Sequence, residues 1–295
     1  MSIYNFETWD VFTDRKFAGN QLAVVMDAEE LSTEQMQTIT REFNLAETAF
    51  VLPPKDPAHT ARLRIFTPGY EMPFAGHPTI GSSIAIARAR GLSGDIRLEL
   101  NAGLFSVHVS ADEDRGDAAF INPNLPAETG AAPKTELIEA ALSLPAGSID
   151  MGDHQPRKVG AGVNFIYVRA TLENVKNAKV DSAAWDALAL DETVGVYLYA
   201  EGGDAKDASY HVRMFAPGAG IMEDPATGAA AAGFPGQLIR AGALKEGEQT
   251  LLIEQGFEMG RPSQIFATVQ VDKGAVQSVK IGGKAVHMQT GQLFV

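Results

Sequence analysis

Arg-Ile-Phe-Thr-Pro-Gly at residues 64–69 recurs, with two changes, as Arg-Met-Phe-Ala-Pro-Gly at residues 213–218. Each copy is followed by a second motif, Gly-His-Pro-Thr-Ile-Gly at 76–81 and Glu-Asp-Pro-Ala-Thr-Gly at 223–228. Small apolar residues come next in both places. Because self-similarity at about half the chain length indicates duplicated structural units, we predict two halves with the same order of elements.

The segments around the motifs support this duplication. In each half a strand pattern is followed by a helix pattern, two more strand patterns, the paired motifs and another helix. These last helices, at roughly 78–90 and 225–241, are apolar or small on nearly every face, which is typical of a helix surrounded by protein. We therefore predict an α+β fold of two pseudo-symmetric domains, each a curved, mostly antiparallel sheet around a central helix. Pro235 is expected to kink the second helix or end it early.

The length of 295 residues suits two domains of about 150 residues each. The segment 122–133, rich in Pro, Gly and Ala, predicts the crossover between them. We place the N-terminal half at residues 1–120, completed by the C-terminal residues 286–295. The C-terminal half then covers residues 121–285, and the active site is expected in the cleft between the halves.

Composition narrows the class of protein. No apolar run approaches the roughly 20 residues of a membrane span, and the N-terminus lacks the basic and apolar regions of a signal peptide, so we expect a cytoplasmic protein without membrane contact. A net charge of −13 argues against nucleic-acid binding. The absence of cysteine excludes disulfides, thiolate metal sites and cysteine nucleophiles. The six His are scattered, so no metal site is predicted.

His77 and Asp224 occupy matching places in the second motifs, each just before a proline and a predicted helix start. A His beside the amides of a first helical turn would have a depressed pKa and could donate or accept a proton near pH 7. The alternative is a His that only hydrogen-bonds the backbone. Asp before Pro is also a good helix N-cap, so the match with His77 is what favours a chemical role for Asp224.

Glu47 is the third candidate, because it lies between a predicted helix end and an apolar strand. Partial desolvation would raise the pKa of its carboxyl and suit a proton shuttle; the alternative is a solvated loop glutamate. Asn20 either orients a ligand carboxylate or closes a turn. The Gly-rich segments match no dinucleotide-binding or P-loop pattern, and no serine nucleophile elbow occurs.

Five strings together resemble one family, the PhzF family of phenazine-biosynthesis-like isomerases, in order and spacing over essentially the whole chain. They are Phe17-Ala-Gly-Asn20, Asn44-Leu-Ala-Glu-Thr48, Phe66-Thr-Pro68, Phe74-Ala-Gly-His-Pro-Thr79 and Glu223-Asp-Pro-Ala-Thr-Gly228. The resemblance implies the diaminopimelate-epimerase-like fold, a homodimer and no cofactor.

The resemblance also implies roles for the matching residues. Glu47 would be the acid/base that moves a proton, and His77 and Asp224 would assist and orient the substrate. The amides of Gly76, His77 and Gly228 would bind a carboxylate. Members of the phenazine pathway isomerise a dihydro-hydroxyanthranilate, so a small anionic substrate is expected.

Two positions depart from the family pattern. Ala229 stands where the family often has Ser, so a hydroxyl that contacts substrate is missing from the predicted binding set, which also includes Asn20. This change argues against the phenazine-pathway substrate. Gln21 replaces a proline that usually follows Gly-Asn. Related epimerases of this fold use two thiols, a mechanism that a chain without cysteine cannot follow.

The sequence thus favours a cofactor-independent isomerase acting on a small carboxylate-bearing substrate, with Glu47 as the proton-transferring group. One alternative is a binding protein that kept the fold and lost the chemistry, for which Ala229 is mild support. The other is a lyase or hydratase that uses Glu47 and His77. The mass of the product separates isomerisation from addition or loss of water.

Overall fold

The computed structural model describes residues 2–149, 151–191 and 194–295. The chain divides into two compact units. The N-terminal unit contains Met1–Ile121 and Gly282–Val295, and the C-terminal unit contains Asn122–Ile281. Seventeen strands and six α-helices lie in the described residues, in agreement with the predicted α+β class.

The N-terminal unit is made of strands with two helices between them, in the following order along the chain. They are β1 (Ile3–Val11), β2 (Asn20–Val25), α1 (Thr33–Phe43), β3 (Glu47–Leu52), β4 (Ala61–Phe66), β5 (Glu71–Met72), α2 (Gly76–Arg90), β6 (Gly94–Leu100), β7 (Gly103–Ala111) and β8 (Arg115–Ile121).

Strand pairing closes the N-terminal unit into a barrel. The order is β1–β2–β3–β4–β6–β7–β8, and the last strand of the chain, β17 (Ala275–Phe294), pairs with both β8 and β1. Helix α2 lies inside and contacts β1, β2, β3, β7 and β8. An added Cβ on Gly81 would lie 2.6 Å from Leu22 and 2.7 Å from Val11, so this helix approaches the wall more closely than a larger residue would permit. The predicted central helix is therefore confirmed.

Helix α1 covers the outside of the same sheet. Its buried residues Met36 and Ile39 pack with Phe50 and Phe66, which point to the outer face of β3 and β4. The helix begins with a capping box in which the Ser32 hydroxyl accepts from the N–H of Gln35 at 3.2 Å. The two faces of the strands thus pack against different helices, as the alternation of side chains along a strand requires.

The C-terminal unit has the same kind of architecture. Its elements are β9 (Ala127–Gly130), α3 (Thr135–Ala141), β10 (Arg157–Gly160), β11 (Asn164–Arg169), α4 (Leu172–Asn177), α5 (Ser182–Asp186), β12 (Gly195–Glu201), β13 (Tyr210–Ala216), the 3₁₀ turn Pro217–Ala219, β14 (Ile221–Asp224), α6 (Gly228–Arg240), β15 (Gly247–Gln255) and β16 (Ser263–Asp272).

The pairing pattern of the two units matches strand by strand. The parallel pair β2–β3 corresponds to the parallel pair β11–β12, and the parallel pair β4–β6 corresponds to β13–β15. The antiparallel neighbours also correspond, β3–β4 to β12–β13 and β6–β7 to β15–β16. Helix α6 takes the place of α2 and packs against β9, β10, β11 and β16.

Pro235 neither ends α6 nor shortens it, so that alternative of the sequence prediction was wrong. The helix continues to Arg240, five residues beyond the proline. Proline removes one backbone hydrogen bond, but Phe234, Pro235 and Gly236 are all buried against the surrounding sheet. Burial on every side stabilises the helical path despite the lost bond.

Among the described residues, no helix combines the length and the apolar character that crossing a bilayer would need.

The repeated Arg-x-Phe motif has the same structure in both units. Arg64 donates from Nε and Nη2 to both carboxylate oxygens of Glu71, at 2.8 and 2.6 Å. Arg213 makes the same two-pronged pair with Glu223, at 2.8 Å for both bonds. Each guanidinium also lies over the phenylalanine two residues on, about 5 Å from the ring. These pairs fix the strand that leads into each second motif.

Candidate active site

Three of the predicted site residues come together in the N-terminal unit. Glu47 is the first residue of β3, Asn20 is the first residue of β2, and His77 is the second residue of α2. Because β2 and β3 are parallel neighbours with Leu22 opposite Glu47, both strands begin at the same edge of the sheet. The Nε2 atom of His77 lies 3.4 Å from Oε2 of Glu47, and its Nδ1 lies 3.2 Å from Nδ2 of Asn20.

All three side chains are buried, with 8% of Glu47, 3% of His77 and 1% of Asn20 exposed. Burial lowers the pKa of His77 to about 3, and a hydrogen bond with the backbone of Gln21 opposes that shift only in part. The imidazole is therefore neutral near pH 7. The pKa is lowered, as the sequence predicted, but by burial and not by the first-turn amides, and a pKa of about 3 does not suit uptake of a proton near pH 7.

Both ring nitrogens of His77 lie beside side chains of neighbouring strands. Nδ1 lies 3.2 Å from the amide nitrogen of Asn20, and Nε2 lies 3.4 Å from Oε2 of Glu47. This arrangement orients the imidazole and places it beside a buried carboxyl group.

Helix α2 begins without a side-chain cap. Its N-cap residue is Ala75, which has no side-chain acceptor for the first N–H groups, whereas α1 is capped by the hydroxyl of Ser32. The N–H groups of a first turn carry partial positive charge and favour an anion. Gly76, the first residue of α2, is buried and has no side chain that would cover its amide. The start of α2 can therefore accept a carboxylate close to His77.

Asp224 lies in the C-terminal unit, at the last position of β14. It is not the N-cap of α6, so that reading of Asp-Pro was wrong; the N-cap is Thr227, which makes no side-chain cap bond. The Thr227 hydroxyl instead donates to Oδ2 of Asp224 at 2.5 Å. The hydroxyl of Thr227 thus holds the carboxylate.

The remaining predicted residues also lie at the start of α6. Gly228 is its first residue and is buried, and Ala229 is its second residue and is half-buried. Like α2, this central helix lacks a side-chain cap. The sequence prediction of matched helix tips therefore corresponds to two uncapped helix starts, one in each unit.

Gln255 is a site residue that the sequence analysis did not find. It is fully buried at the end of β15, and its Nε2 donates to the backbone oxygen of Asp224 at 2.7 Å and to the hydroxyl of Thr227 at 2.9 Å. Its Oε1 accepts from the N–H of Thr227 at 3.0 Å. Gln255 therefore holds the whole turn from Asp224 to Thr227. The only local signal for it is the next residue, Gly256, at a strand end.

Within the ranges that the structure covers, no group of three or more His, Asp or Glu side chains converges so as to hold a metal ion. The chemistry that the described residues can support is proton transfer. Glu47 supplies a buried carboxyl group, His77 a neutral imidazole, and the start of α2 a site for negative charge.

Comparison with known proteins identifies the family of this chain. The family model PhzC-PhzF, described as phenazine biosynthesis-like protein, matches residues 9–291. An uncharacterized isomerase of Mesorhizobium japonicum is 43% identical, with all of both chains covered. The trans-2,3-dihydro-3-hydroxyanthranilate isomerase of Pseudomonas chlororaphis is 32% identical over 99% of this chain and all of its own.

A solved structure supports the fold. The PhzF-family phenazine biosynthesis protein of Bacillus anthracis superposes with a TM-score of 0.89 over all of both chains, at 24% identity. The resemblance stated from five sequence strings is confirmed. The chain belongs to the PhzF family of phenazine biosynthesis-like proteins, and it is an isomerase.

Proposed function

We propose that the protein is a cofactor-independent isomerase that moves a proton between two carbons of a small carboxylate-bearing substrate. The observation that supports this proposal most directly is the buried pair of Glu47 and His77, 3.4 Å apart, with the imidazole neutral. A carboxylate in such a site can take a proton from an activated carbon and return it elsewhere.

Glu47 takes a proton in the first half of the reaction and gives a proton to a second carbon in the other half, and its carboxyl group exchanges with solvent between these events. The electron pair left on the substrate moves through its unsaturated frame between these events, so atoms and charge balance without a redox partner. His77 remains neutral throughout and lies beside Glu47. Negative charge that develops on the substrate is stabilised by the N–H groups at the start of α2.

For the C-terminal unit we propose that Asp224 orients the substrate and that the amide of Gly228 binds its carboxylate. Thr227 and Gln255 support this role, because they fix the turn that carries Asp224. Ala229 provides no hydroxyl, so we propose a substrate that differs from that of relatives with serine at this position. The homodimer remains a prediction from the resemblance, and the cytoplasmic location remains a prediction from composition and the N-terminal sequence.

The test uses trans-2,3-dihydro-3-hydroxyanthranilate, the compound that names relatives of this chain, and a panel of unsaturated cyclic carboxylates, incubated in deuterated water. An isomerase incorporates solvent deuterium at carbon and leaves the mass otherwise unchanged, as NMR and mass spectrometry report. A lyase or hydratase changes the mass by one water. A binding protein raises the melting temperature with its ligand but exchanges no carbon-bound hydrogen.

The decisive variant is Glu47→Gln, which removes the proton acceptor and keeps the shape of the side chain. We expect turnover to fall by roughly 10²- to 10⁴-fold, the usual contribution of a general acid/base. Glu42→Gln makes the same change at an exposed position five residues earlier and serves as the matched control. Turnover of Glu47→Gln equal to that of Glu42→Gln would exclude Glu47 as the proton-transferring group.

A further inference from the structure

Tyr70 differs from every other tyrosine of the chain. It is 42% exposed, and no hydrogen bond reaches its phenol oxygen from the residues that the structure describes. The remaining five tyrosines are buried: Tyr4, Tyr167, Tyr197, Tyr199 and Tyr210. A half-exposed phenol without a partner in the protein is available to a ligand.

The turn that carries Tyr70 is held rigidly. The N–H of Thr67 donates to the backbone oxygen of Tyr70 at 2.9 Å, and the Thr67 hydroxyl accepts from the N–H groups of Gly69 and Tyr70 at 3.2 and 3.1 Å. Gln37 of α1 donates to the carbonyl oxygens of Thr67 and Pro68 from outside. The direction of the Tyr70 side chain is therefore set by a pinned turn and not by a free loop.

Strand register aligns this turn with Glu47. Thr48 on β3 lies opposite Phe66 on β4, in an antiparallel pair. One position further along, Glu47 faces Thr67. Residues directly opposite one another project to the same face of a sheet, so Glu47 and Thr67 share a face.

The next pair continues the row to Tyr70. Phe66 lies opposite Glu71 on β5, so Thr67 lies opposite Tyr70, in agreement with the hydrogen bond that joins their backbones. Glu47 and Tyr70 are thus two strands apart on one face, within about 10 Å between backbones. This face is the one toward α2, because Glu47 approaches His77, whereas Phe66 on the opposite face packs with α1.

Electrostatics agrees with this register. The pKa of the Tyr70 phenol is raised above its ordinary value, first by partial burial and second by the negative charge of Glu47. The neighbouring Glu71 does not contribute in this way, since it points to the other face and pairs with Arg64. Tyr70 is therefore neutral near pH 7 and can donate a hydrogen bond beside Glu47.

We propose that Tyr70 is a specificity-determining residue of the Glu47 site, whose phenol donates a hydrogen bond to a hydroxyl or carbonyl oxygen that the substrate carries in addition to its carboxylate. The proposal rests on the proposed function in that Glu47 is taken as the group that transfers the proton. It names the substrate class more narrowly, as a small carboxylate bearing a second oxygen.

The first experiment tests the geometry and needs no substrate. As the folded protein is titrated toward alkaline pH, the tyrosinate step that belongs to Tyr70 is identified as the one that Tyr70→Phe removes. Glu47→Gln removes the nearby negative charge, so we expect the pKa of Tyr70 to fall, while Glu42→Gln leaves it where it is in the wild type. An unchanged Tyr70 pKa in Glu47→Gln would overturn the proposed proximity.

The second experiment tests specificity by calorimetric binding of two probes, 3-hydroxyanthranilate and anthranilate, which differ by one hydroxyl. We expect Tyr70→Phe to weaken the first about tenfold, the usual loss for one hydrogen bond, and to leave the second within about twofold. The matched control is Tyr4→Phe, which changes a buried tyrosine packed with Phe50 and Phe66 in the same unit. This variant is expected to bind both probes as the wild type does. Equal weakening of both probes, or no weakening, overturns the assignment, as does wild-type protein that binds neither probe.

The two arms keep this inference separate from the proposed function. The inference is supported if the pKa of Tyr70 shifts in Glu47→Gln and if Tyr70→Phe weakens only 3-hydroxyanthranilate. This holds even if Glu47→Gln retains turnover, an outcome that would refute only the proton-transfer role of Glu47. Loss of turnover in Glu47→Gln with an unshifted Tyr70 refutes the inference and leaves the proposed function standing.

Discussion

The burial of His77 makes the stability of the protein depend on pH in a calculable way. The pKa of this imidazole is about 3 in the folded chain, because burial penalises the charged ring, and about 6.5 in the unfolded chain. Between these two values the unfolded state binds the proton more tightly. Stability is therefore complete above pH 6.5 and falls as the pH is lowered through this window.

The size of the effect follows from the two pKa values. At pH 5 the unfolded imidazole is almost fully protonated and the folded one is not, so this single residue lowers the free energy of unfolding by about 2 kcal/mol relative to pH 8. A loss of that size is a large fraction of the stability of an ordinary domain. Below pH 3 the effect approaches an upper limit of roughly 5 kcal/mol, which is the full difference between the two pKa values.

The assay compares the wild type with His77→Asn in urea unfolding at pH 8, 7, 6 and 5. Asparagine keeps a polar group near the position of Nδ1 beside Asn20 but cannot be protonated in this range. The variant is less stable at pH 8, and its deficit shrinks by about 2 kcal/mol at pH 5, since only the wild type loses the proton-linked part. Other titrating groups are common to both proteins and cancel in the difference.

An internal control comes from the upper part of the range, where the difference between the two proteins stays constant from pH 7 to 8. Ring NMR signals of His77 provide a direct second measurement and stay those of a neutral imidazole down to pH 5. Two unfolding curves that remain equally separated from pH 8 to pH 5, or a His77 signal that titrates near pH 6.5, would refute the reasoning.

Two further predictions concern the turn of the C-terminal unit. Gly256 and Gly202 have nearly the same positive φ, +77° and +78°, but an added Cβ on Gly256 would lie 2.5 and 2.6 Å from two backbone oxygens, and one on Gly202 would meet nothing. In urea unfolding we expect Gly202→Ala to lower the free energy of unfolding by about 1–2 kcal/mol through backbone strain. Gly256→Ala is expected to lower it by about 1–3 kcal/mol more, because its Cβ is also crowded. Equal losses in the two variants would show that the structure relaxes the crowding freely. Gln255→Met keeps the length of the side chain but removes its hydrogen bonds to the backbone of Asp224 and Thr227. We expect the free energy of unfolding to fall by about 2–3 kcal/mol. A stability equal to that of the wild type would mean that water replaces the amide.

The fold was predictable because its main signals are local or repeated. The two motif helices are apolar on every face, and both are enclosed by sheet. The matching order of elements in the two halves was predicted from the repeat, whereas the strand pairing was not. Two statements failed. Burial against the sheet keeps α6 helical beyond Pro235, and helix α6 begins after Thr227, whose hydroxyl bonds to the carboxylate of Asp224.

The candidate site was predictable only in part. Glu47 and His77 are far apart in sequence, and their approach depends on the parallel pairing of β2 with β3 and on the position of α2 inside the barrel. The resemblance to a family supplied what periodicity could not. Gln255 and Tyr70 were missed because their partners depend on how the strands pair. Gln255 bonds to a turn some 30 residues earlier, and Tyr70 is aligned with Glu47 across three neighbouring strands.

Burial of the Glu47 and His77 side chains determines both the pH dependence of stability and the chemistry of the site. A protonated imidazole next to a carboxylate would form an ion pair, and Glu47 would then be a weaker base toward carbon. Burial keeps His77 neutral, so that the ring lies beside Glu47 without supplying a full positive charge. The expected loss of stability below pH 6.5 and the availability of Glu47 for proton transfer therefore have one physical origin. A substitution that admits water to His77 is expected to flatten the acid dependence of stability and to reduce turnover together.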